Sequence, residues 1–246
     1  PAGSSGPIRA AGREAWPPGR TGATMPAQVP TLETFPMDPA STFEPTCPVI
    51  PVIVLDDAAD AVPLARACLA GGLDILEVTL RTPVALEAIR RIAAEVPAAR
   101  VGAGTVTRPE EFEKVRAAGA RFAFSPGYAD DMVAAARDAG IEWLPGVATA
   151  SEVMAAQRRG LGRLKLFPAV PAGGIALLDA LAGPFPDMRF CPTGGIDSEN
   201  AASWLARPNV FAVGGSWPAP RKLVAARDWA AITERCRRAA ALRHQA

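Results

Sequence analysis

Residues 75–106 read ILEVTLRTPVALEAIRRIAAEVPAARVGAGTV, and the fold class follows from the pattern in this stretch. Residues 75–80 are mostly β-branched and aliphatic, and residues 100–106 form a second short apolar run. Each run therefore predicts a strand. Between them, residues 84–96 are rich in Ala, Leu and Ile at helical spacing, which predicts an amphipathic helix. A strand, a helix and a strand in this order predict a parallel βα unit.

The same alternation continues in both directions, from residue 48 to the C-terminus. The predicted strands are residues 49–55, 75–80, 100–106, 121–125, 142–146, 163–167, 189–192 and 210–214. The predicted helices are residues 59–70, 84–96, 109–118, 130–139, 151–159, 174–182, 198–206 and 228–241. Eight βα units in about 200 residues match a small TIM barrel, whereas the alternative, a doubly wound sheet, usually has five or six strands. We therefore predict an α/β protein with one (β/α)8 barrel domain over residues 47–246.

Residues 1–46 differ in composition from the rest of the chain. Eleven of the 25 prolines fall by residue 51, and residues 1–46 show neither the strand period nor the helix period over any useful length. Such a segment lacks the apolar pattern that a packed core requires. We expect a flexible, Pro-rich N-terminal extension over residues 1–46.

Composition excludes several classes of function. The 26 basic and 25 acidic residues are spread along the chain without a basic stripe, which argues against nucleic acid as a partner. Every apolar run is shorter than the roughly 20 residues that span a bilayer, so we expect no membrane partner. The four cysteines lie far apart and the single histidine is His244, so no metal-binding spacing appears. We expect a cytoplasmic protein without a metal.

The predicted sixth strand carries a lysine between two leucines, Leu164-Lys165-Leu166. If Lys165 faces the interior, its ammonium group must be paired or lose its proton. The neutral amine is the form that attacks a ketone, which is how buried strand lysines serve in Schiff-base catalysis. An outward-facing lysine whose stem lies on the helix layer is the alternative, and this strand taken alone favours it.

Further candidates lie at the C-terminal ends of other predicted strands, where barrel enzymes place their active sites. Strand two ends with Glu77 and Arg81, which point to the same side while the strand remains extended. Strands three and four end in GAGT at 102–105 and SPG at 125–127. Small residues there let a ligand approach the backbone, although ordinary tight turns explain each motif equally well.

Paired glycines follow predicted strands seven and eight. The first pair is Gly194 and Gly195 in CPTGGID, and the second turn, GGSW, contains Gly215 and Ser216. Barrels bind phosphate at these two strands, with backbone N–H groups and a hydroxyl as donors. We predict a phosphate site here, and two ordinary Gly-rich turns are the alternative.

Taken together, the ordered motifs PVIPVIV, LEVTLRT, VGAGTV, SPG, LPGV, KLFPA, RFCPTGG and GGSW resemble the bifunctional 2-keto-3-deoxy-6-phosphogluconate (KDPG) and 2-keto-4-hydroxyglutarate (KHG) aldolase family over residues 48–240. The resemblance implies a class I aldolase that cleaves KDPG to pyruvate and glyceraldehyde 3-phosphate in sugar acid catabolism, and KHG to pyruvate and glyoxylate. It implies Lys165 as the Schiff-base lysine and Glu77 as the general acid and base. It further implies a homotrimer without metal or other cofactor.

The resemblance also implies roles for residues that bind substrate. Arg81 and Thr105 would hold the carboxylate of the pyruvate moiety, and Pro126 and Phe167 would line that pocket. Thr193 would contact the aldehyde-derived hydroxyl. The phosphate would be bound by Gly194, Gly195, Gly215 and Ser216. One departure is Val170, which stands where many relatives carry a polar residue, so the loop after the sixth strand is expected to differ.

Three other functions stay open at this point. An aldolase for the galactonate epimer of the substrate would share the chemistry and differ in how the C4 hydroxyl is placed, with Thr193 as the discriminating residue. A phosphosugar isomerase or decarboxylase on the same barrel would use the phosphate site without an imine. A non-catalytic protein that binds a phosphorylated metabolite would turn nothing over.

Overall fold

The computed structural model of the chain describes residues 47–242. The predicted extension over residues 1–46, and His244, lie outside the described residues. The strands are β1 (Val49–Ile53), β2 (Ile75–Thr79), β3 (Arg100–Gly104), β4 (Phe122–Phe124), β5 (Glu142–Leu144), β6 (Gly146–Val147), β7 (Arg163–Leu166), β8 (Arg189–Pro192) and β9 (Val213–Gly215). The helices are α1 (Ala61–Ala70), α2 (Ala85–Glu95), α3 (Pro109–Ala117), α4 (Asp130–Asp138), α5 (Ala150–Arg158), α6 (Gly174–Ala182), α7 (Ala201–Leu205), α8 (Arg221–Ala225) and α9 (Trp229–Ala240).

The strands form two parallel sheets. Six strands pair in the order β5-β4-β3-β2-β1-β9, and three pair in the order β6-β7-β8. Every ladder between these strands is parallel. Parallel neighbours need a crossover connection, which the intervening helices supply. The described residues therefore have the α/β architecture with parallel strands that the alternating pattern predicts.

Strand β2 buries apolar side chains on both of its faces. On β2, Leu76 and Val78 belong to the large cluster that packs the strands against the helices, whereas Ile75 belongs to a second, smaller cluster on the opposite face. Side chains alternate between the faces of a strand, so these two clusters follow directly from the sequence of the strand. The smaller cluster is formed by Ile50, Ile75, Phe122, Phe124, Leu144, Cys191 and Ala212. Strands of both sheets contribute to this smaller cluster. The candidate site lies in the interior that the cluster occupies.

The predicted fifth strand, residues 142–146, is two short strands in the structure. Pro145 separates β5 from β6, and proline has no N–H to donate to a ladder. β5 pairs with β4, whereas β6 pairs with β7. The predicted eighth strand, residues 210–214, is also shorter, because β9 spans only Val213–Gly215 and Val210 forms an isolated bridge with Phe190.

The helices follow the prediction with two differences. α7 covers only Ala201–Leu205 of the predicted 198–206, because Asp197 and Asn200 form a turn in which the Asp197 carboxylate accepts from the N–H of Asn200. α8 was not predicted, since its five residues are too few for a helical period to be visible. None of the helices within residues 47–242 combines the length and the apolar content that crossing a membrane requires.

Candidate active site

Lys165 lies on β7 between Leu164 and Leu166, whose side chains pack in the large cluster against the helices. Because alternate side chains on a strand point to opposite faces, Lys165 points to the other side. Only 4% of the residue is exposed. The lysine therefore faces the interior and does not lie along the helix layer.

Glu77 on β2 meets Lys165 from across the interior. The Nζ of Lys165 donates to Oε1 of Glu77 at 3.0 Å, and the side chains are 6% and 1% exposed. The second carboxylate oxygen, Oε2, is buried and has no hydrogen-bond partner among the described residues. A buried carboxylate that has one oxygen on an amine and a second oxygen without a partner among the described residues can take up or return a proton.

Neighbouring residues shape the space around this pair. The Lys165 ammonium lies 5.2 Å from the ring centre of Phe124 and 5.5 Å from that of Phe167, within the range of a cation–π contact. On the other side, a side chain at Gly104 would collide with the Glu77 carboxylate, with its Cβ only 2.7 Å from Cγ of Glu77. Gly104 of the GAGT motif, the last residue of β3, is therefore required to make room for the carboxylate and not for a turn.

Cys191 is the register partner of Lys165 on β8 and is also fully buried. Burial raises the pKa of the Cys191 thiol to about 12, and the opposing attraction of the Lys165 ammonium does not offset it. The thiol is therefore neutral near pH 7 and contributes neither charge nor a nucleophile to the site.

A cavity of about 380 Å³ opens at the C-terminal ends of these strands. Its polar and aromatic lining comprises Arg81, Phe167, Thr193, Gly194, Gly195, Gly215, Ser216 and Arg221. Phe167, which borders the cavity, also contacts the Lys165 ammonium, so the cavity adjoins the buried amine. A larger cavity of about 540 Å³ lies along α9, where Glu234 pairs with Arg238 on the surface, and it holds none of the predicted site residues.

Arg81 and Thr105 lie side by side at the ends of β2 and β3. The Nε of Arg81 donates to the hydroxyl of Thr105 at 3.2 Å. Thr105 has a φ of 61°, in the left-handed region that β-branched residues rarely adopt. This conformation turns its hydroxyl toward Arg81, and both residues follow strands that are adjacent in the sheet.

The structure thus brings together most of the residues that the sequence singled out. Seven of them line the cavity: Arg81, Phe167, Thr193, Gly194, Gly195, Gly215 and Ser216. Lys165 and Glu77 lie buried beside it, and Thr105 is joined to it through Arg81. Pro126 is not among the described residues that line the cavity; its carbonyl packs closely against Gly146. The helix after the first glycine pair starts at Ala201, later than the predicted residue 198, and α8, which was not predicted, starts at Arg221 after the second pair. The glycines therefore lie in turns that line the cavity.

Sequence reasoning missed three residues at or next to this site, namely Phe124, Arg221 and Asp56. Phe124 packs against the lysine, and a signal was present, since it precedes the SPG motif in a predicted strand. Arg221 lines the cavity and pairs with Asp56, 165 residues earlier in the chain. No local pattern could indicate that pair. Within the described part of the chain, no three His, Cys, Asp or Glu side chains cluster as a metal site would require.

Comparison with known proteins gives one consistent family. The profile of the KDPG and KHG aldolases matches residues 43–235. The 2-dehydro-3-deoxy-phosphogluconate aldolase of Pseudoalteromonas atlantica is 50% identical over 194 residues, which cover 79% of this chain and 90% of the relative. The KHG/KDPG aldolase of Escherichia coli is 48% identical over 200 residues, 81% of this chain and 94% of the relative.

A solved structure agrees with these relatives. The KDPG aldolase of Legionella pneumophila, with pyruvate captured at low pH as a covalent carbinolamine intermediate, superimposes with a TM-score of 0.78 and 48% identity. The match covers 79% of this chain and 95% of that structure. Sequence identity of this extent, together with the shared fold, shows that the chain belongs to the KDPG and KHG aldolase family.

Proposed function

We propose that the protein is a class I aldolase that cleaves 2-keto-3-deoxy-6-phosphogluconate to pyruvate and glyceraldehyde 3-phosphate, and 2-keto-4-hydroxyglutarate to pyruvate and glyoxylate. The observation that carries the proposal is the buried pair of Lys165 and Glu77, 3.0 Å apart beside the cavity. The relatives that share about half of its sequence are named for these activities. The pyruvate carbinolamine of the Legionella structure supports covalent chemistry on an amine.

In the proposed reaction, the neutral amine of Lys165 attacks the C2 ketone of the substrate and forms a carbinolamine. Loss of water from that intermediate gives a protonated imine. The positive nitrogen then accepts the electron pair of the C3–C4 bond when this bond breaks. The position of Lys165 supports this role, because the amine is buried beside Phe167, which borders the cavity.

Glu77 is proposed to move the protons of each step. It takes the proton of the C4 hydroxyl as the C3–C4 bond breaks, and the aldehyde product leaves. The remaining enamine is protonated at C3, and hydrolysis of the imine releases pyruvate and restores the amine. The second carboxylate oxygen of Glu77, Oε2, supports this role, because it has no hydrogen-bond partner among the described residues and can accept a proton from a water molecule or a substrate hydroxyl.

The substrate is proposed to lie along the cavity from the lysine to the paired glycines. Arg81 and Thr105 hold its carboxylate, Phe167 and Pro126 pack against the pyruvate portion, and Thr193 contacts the hydroxyl of the aldehyde portion. The phosphate is bound by Gly194, Gly195, Gly215 and Ser216. Support comes from the shared cavity and from the hydrogen bond between Arg81 and Thr105. No cofactor takes part in any of these steps.

We also infer that the two sheets close into an eight-stranded barrel in which β5 and β6 are parts of one strand. Only Pro145 separates them, and its carbonyl accepts from the N–H of Lys165 on β7. At the other seam, bridges join Phe190 to Val210 and Thr193 to Gly214. By resemblance to its family, the enzyme is proposed to assemble as a homotrimer in the cytoplasm.

Borohydride reduction in the presence of pyruvate tests the covalent step. Mass spectrometry should locate the reduced adduct on Lys165, and Lys165→Met should abolish both trapping and cleavage. The chain has two other lysines, so Lys114→Met, on an exposed helix position, is the matched control and should trap normally. An adduct that persists in Lys165→Met would overturn the assignment. Assay of the gluconate and galactonate epimers in parallel decides which configuration at C4 the enzyme accepts.

A further inference from the structure

The turn after β8, which lines the cavity with Gly194 and Gly195, has its carbonyl oxygens occupied by other parts of the chain. The carbonyl oxygens of Thr193 and Gly194 accept from the N–H groups of Ala169 and Val170, at 2.8 and 3.0 Å. The carbonyl of Gly195 accepts from the side-chain amide of Asn200 at 3.0 Å. In a trans peptide the N–H points opposite to the C=O, so the N–H groups of the following residues face away from these partners.

Glycine is required where this turn bends. Gly194 and Gly195 have φ values of 98° and 81°, which residues with side chains rarely adopt. A side chain at Gly195 would also approach Cβ of Val170 to 2.6 Å. The turn thus offers a preformed set of backbone donors, but peptide groups carry only partial charges. A phosphate dianion bound there is better stabilised when a full positive charge lies close by.

Two cationic side chains are found among the described residues that line the cavity, Arg81 and Arg221. Arg81 is directed to the hydroxyl of Thr105 at the end of β3, and the proposed function uses it for the substrate carboxylate. Arg221 lines the same cavity together with Gly194, Gly195, Gly215 and Ser216. Of the two cations, Arg221 is therefore the one available to bind a phosphate at the paired glycines.

Asp56 holds Arg221 in place through a two-point contact. The Nε and Nη2 of Arg221 donate to Oδ2 and Oδ1 of Asp56 at 2.7 and 2.6 Å. A guanidinium has five N–H donors, so this contact leaves the hydrogens of Nη1 and one hydrogen of Nη2 for another acceptor. Fixing a long side chain beforehand lowers the entropic cost of binding to it.

We propose that Arg221 binds the substrate phosphate, with Asp56 as its positioning residue, and that this pair makes the enzyme favour the phosphorylated over the phosphate-free keto acid. The proposal rests on the proposed aldolase function. Arg221 would add a charged contact to the backbone donors of the turn. Asp56, which is far from Arg221 in the sequence, would hold that contact in place. The competing explanation is a surface ion pair that ties the loop after β1 to α8 and has little energetic effect.

The phosphate-free substrate serves as an internal control. In Arg221→Ala we expect KM for 2-keto-3-deoxy-6-phosphogluconate to rise about 10-fold or more, since a hydrogen bond to a charged group is lost. Both kcat on that substrate and kcat/KM for 2-keto-4-hydroxyglutarate should stay within about twofold, because neither depends on a phosphate contact. Arg221→Lys should restore part of the KM, and Asp56→Asn should raise KM by a smaller factor than Arg221→Ala. Lys222→Ala removes a positive charge one residue away, outside the cavity lining, and should leave both substrates unaffected.

The outcomes separate this proposal from the proposed function. If Arg221→Ala changes both substrates equally, or neither, Arg221 is not a phosphate ligand and the surface ion pair is the correct explanation. Calorimetric titration with inorganic phosphate gives a second readout without turnover, and Arg221→Ala should weaken that binding. Failure of the wild-type protein to trap pyruvate with borohydride would refute the aldolase function instead, and would leave the phosphate titration as the test of Arg221.

Discussion

Lys165 and Glu77 form a charged pair in an interior where most buried side chains are apolar. Removing two charges from water costs free energy that their mutual attraction offsets only with very good geometry, so well-packed apolar residues often stabilise a protein more. Here one carboxylate oxygen has no partner among the described residues, which makes the pair still less favourable. A pair placed in this way is better explained by chemistry than by stability.

Gly104→Ala tests whether the position of the Glu77 carboxylate matters. The added methyl group would collide with the carboxylate whose Oε1 accepts from Lys165, so the Glu77 side chain must shift and this hydrogen bond is disturbed. We expect kcat to fall by about 100-fold or more, the range that acid and base catalysis supplies. Steady-state kinetics and a thermal melt on the same preparation measure the effect on rate and on folding.

Gly183→Ala is the matched control for this prediction. Nothing lies within 4 Å of a side chain built at Gly183, which is exposed and ends α6 with a negative φ. It should keep the wild-type rate. A Gly104→Ala enzyme that also keeps its rate would mean that the reaction tolerates displacement of the carboxylate.

At the level of the element, two-residue alternation places the side chains proposed for catalysis. On β7, two leucines pack toward the helices and Lys165 points inward. On β2, Leu76 and Val78 pack toward the helices, and Glu77 points inward. The same period that builds the two apolar clusters therefore brings one charge from each strand into the interior.

A substitution at the start of α5 should change the stability of the protein and leave the candidate site unaffected. Thr149 precedes the helix, and Oε2 of Glu152 accepts from the N–H groups of Ala148 and Thr149 at 2.8 and 2.9 Å. This capping box satisfies N–H groups that the helix itself cannot satisfy. Glu152→Ala should lower the free energy of unfolding by about 1 kcal/mol, a typical value for loss of a cap.

Urea unfolding measures that change, and kcat/KM should be unaffected. Gln157→Ala, at an exposed position of the same helix, is the control and should change the unfolding free energy by less than about 0.5 kcal/mol. A change of equal size in both variants would show that the capping box contributes nothing beyond the surface of the helix.

At the level of the whole molecule, every residue assigned a role lies between Asp56 and Arg221. The family match spans residues 43–235 and includes all of them. Residues 1–42 lie outside that match. A domain boundary near residue 46, with an extension before it, is what the change in composition predicts.

Removal of residues 1–42 tests that boundary. Because all the residues proposed for catalysis and binding are retained, kcat/KM on the phosphorylated substrate should stay within about twofold of the full chain. Thermal unfolding of both forms shows whether stability is also kept. A truncated protein that folds but loses activity would show that the segment takes part in the site.

The alternating strands and helices and the glycines of the turns could be predicted from the sequence, because each depends on a local period or on a local backbone requirement. The inward direction of Lys165 could not be predicted from its own strand, which favours an outward-facing side chain; only the combination of motifs points to an interior amine. What only the tertiary structure decided is which distant residues meet. Glu77 and Lys165 are 88 residues apart, and Asp56 and Arg221 are 165 residues apart. Contacts of that kind depend on how the parallel strands are ordered around the interior, and a strand's own sequence fixes the face of each side chain but not its partner across the space. For the same reason, the glycine at 104 could be seen as a turn residue in the sequence, whereas its role in making room for the Glu77 carboxylate required the register of β2 and β3.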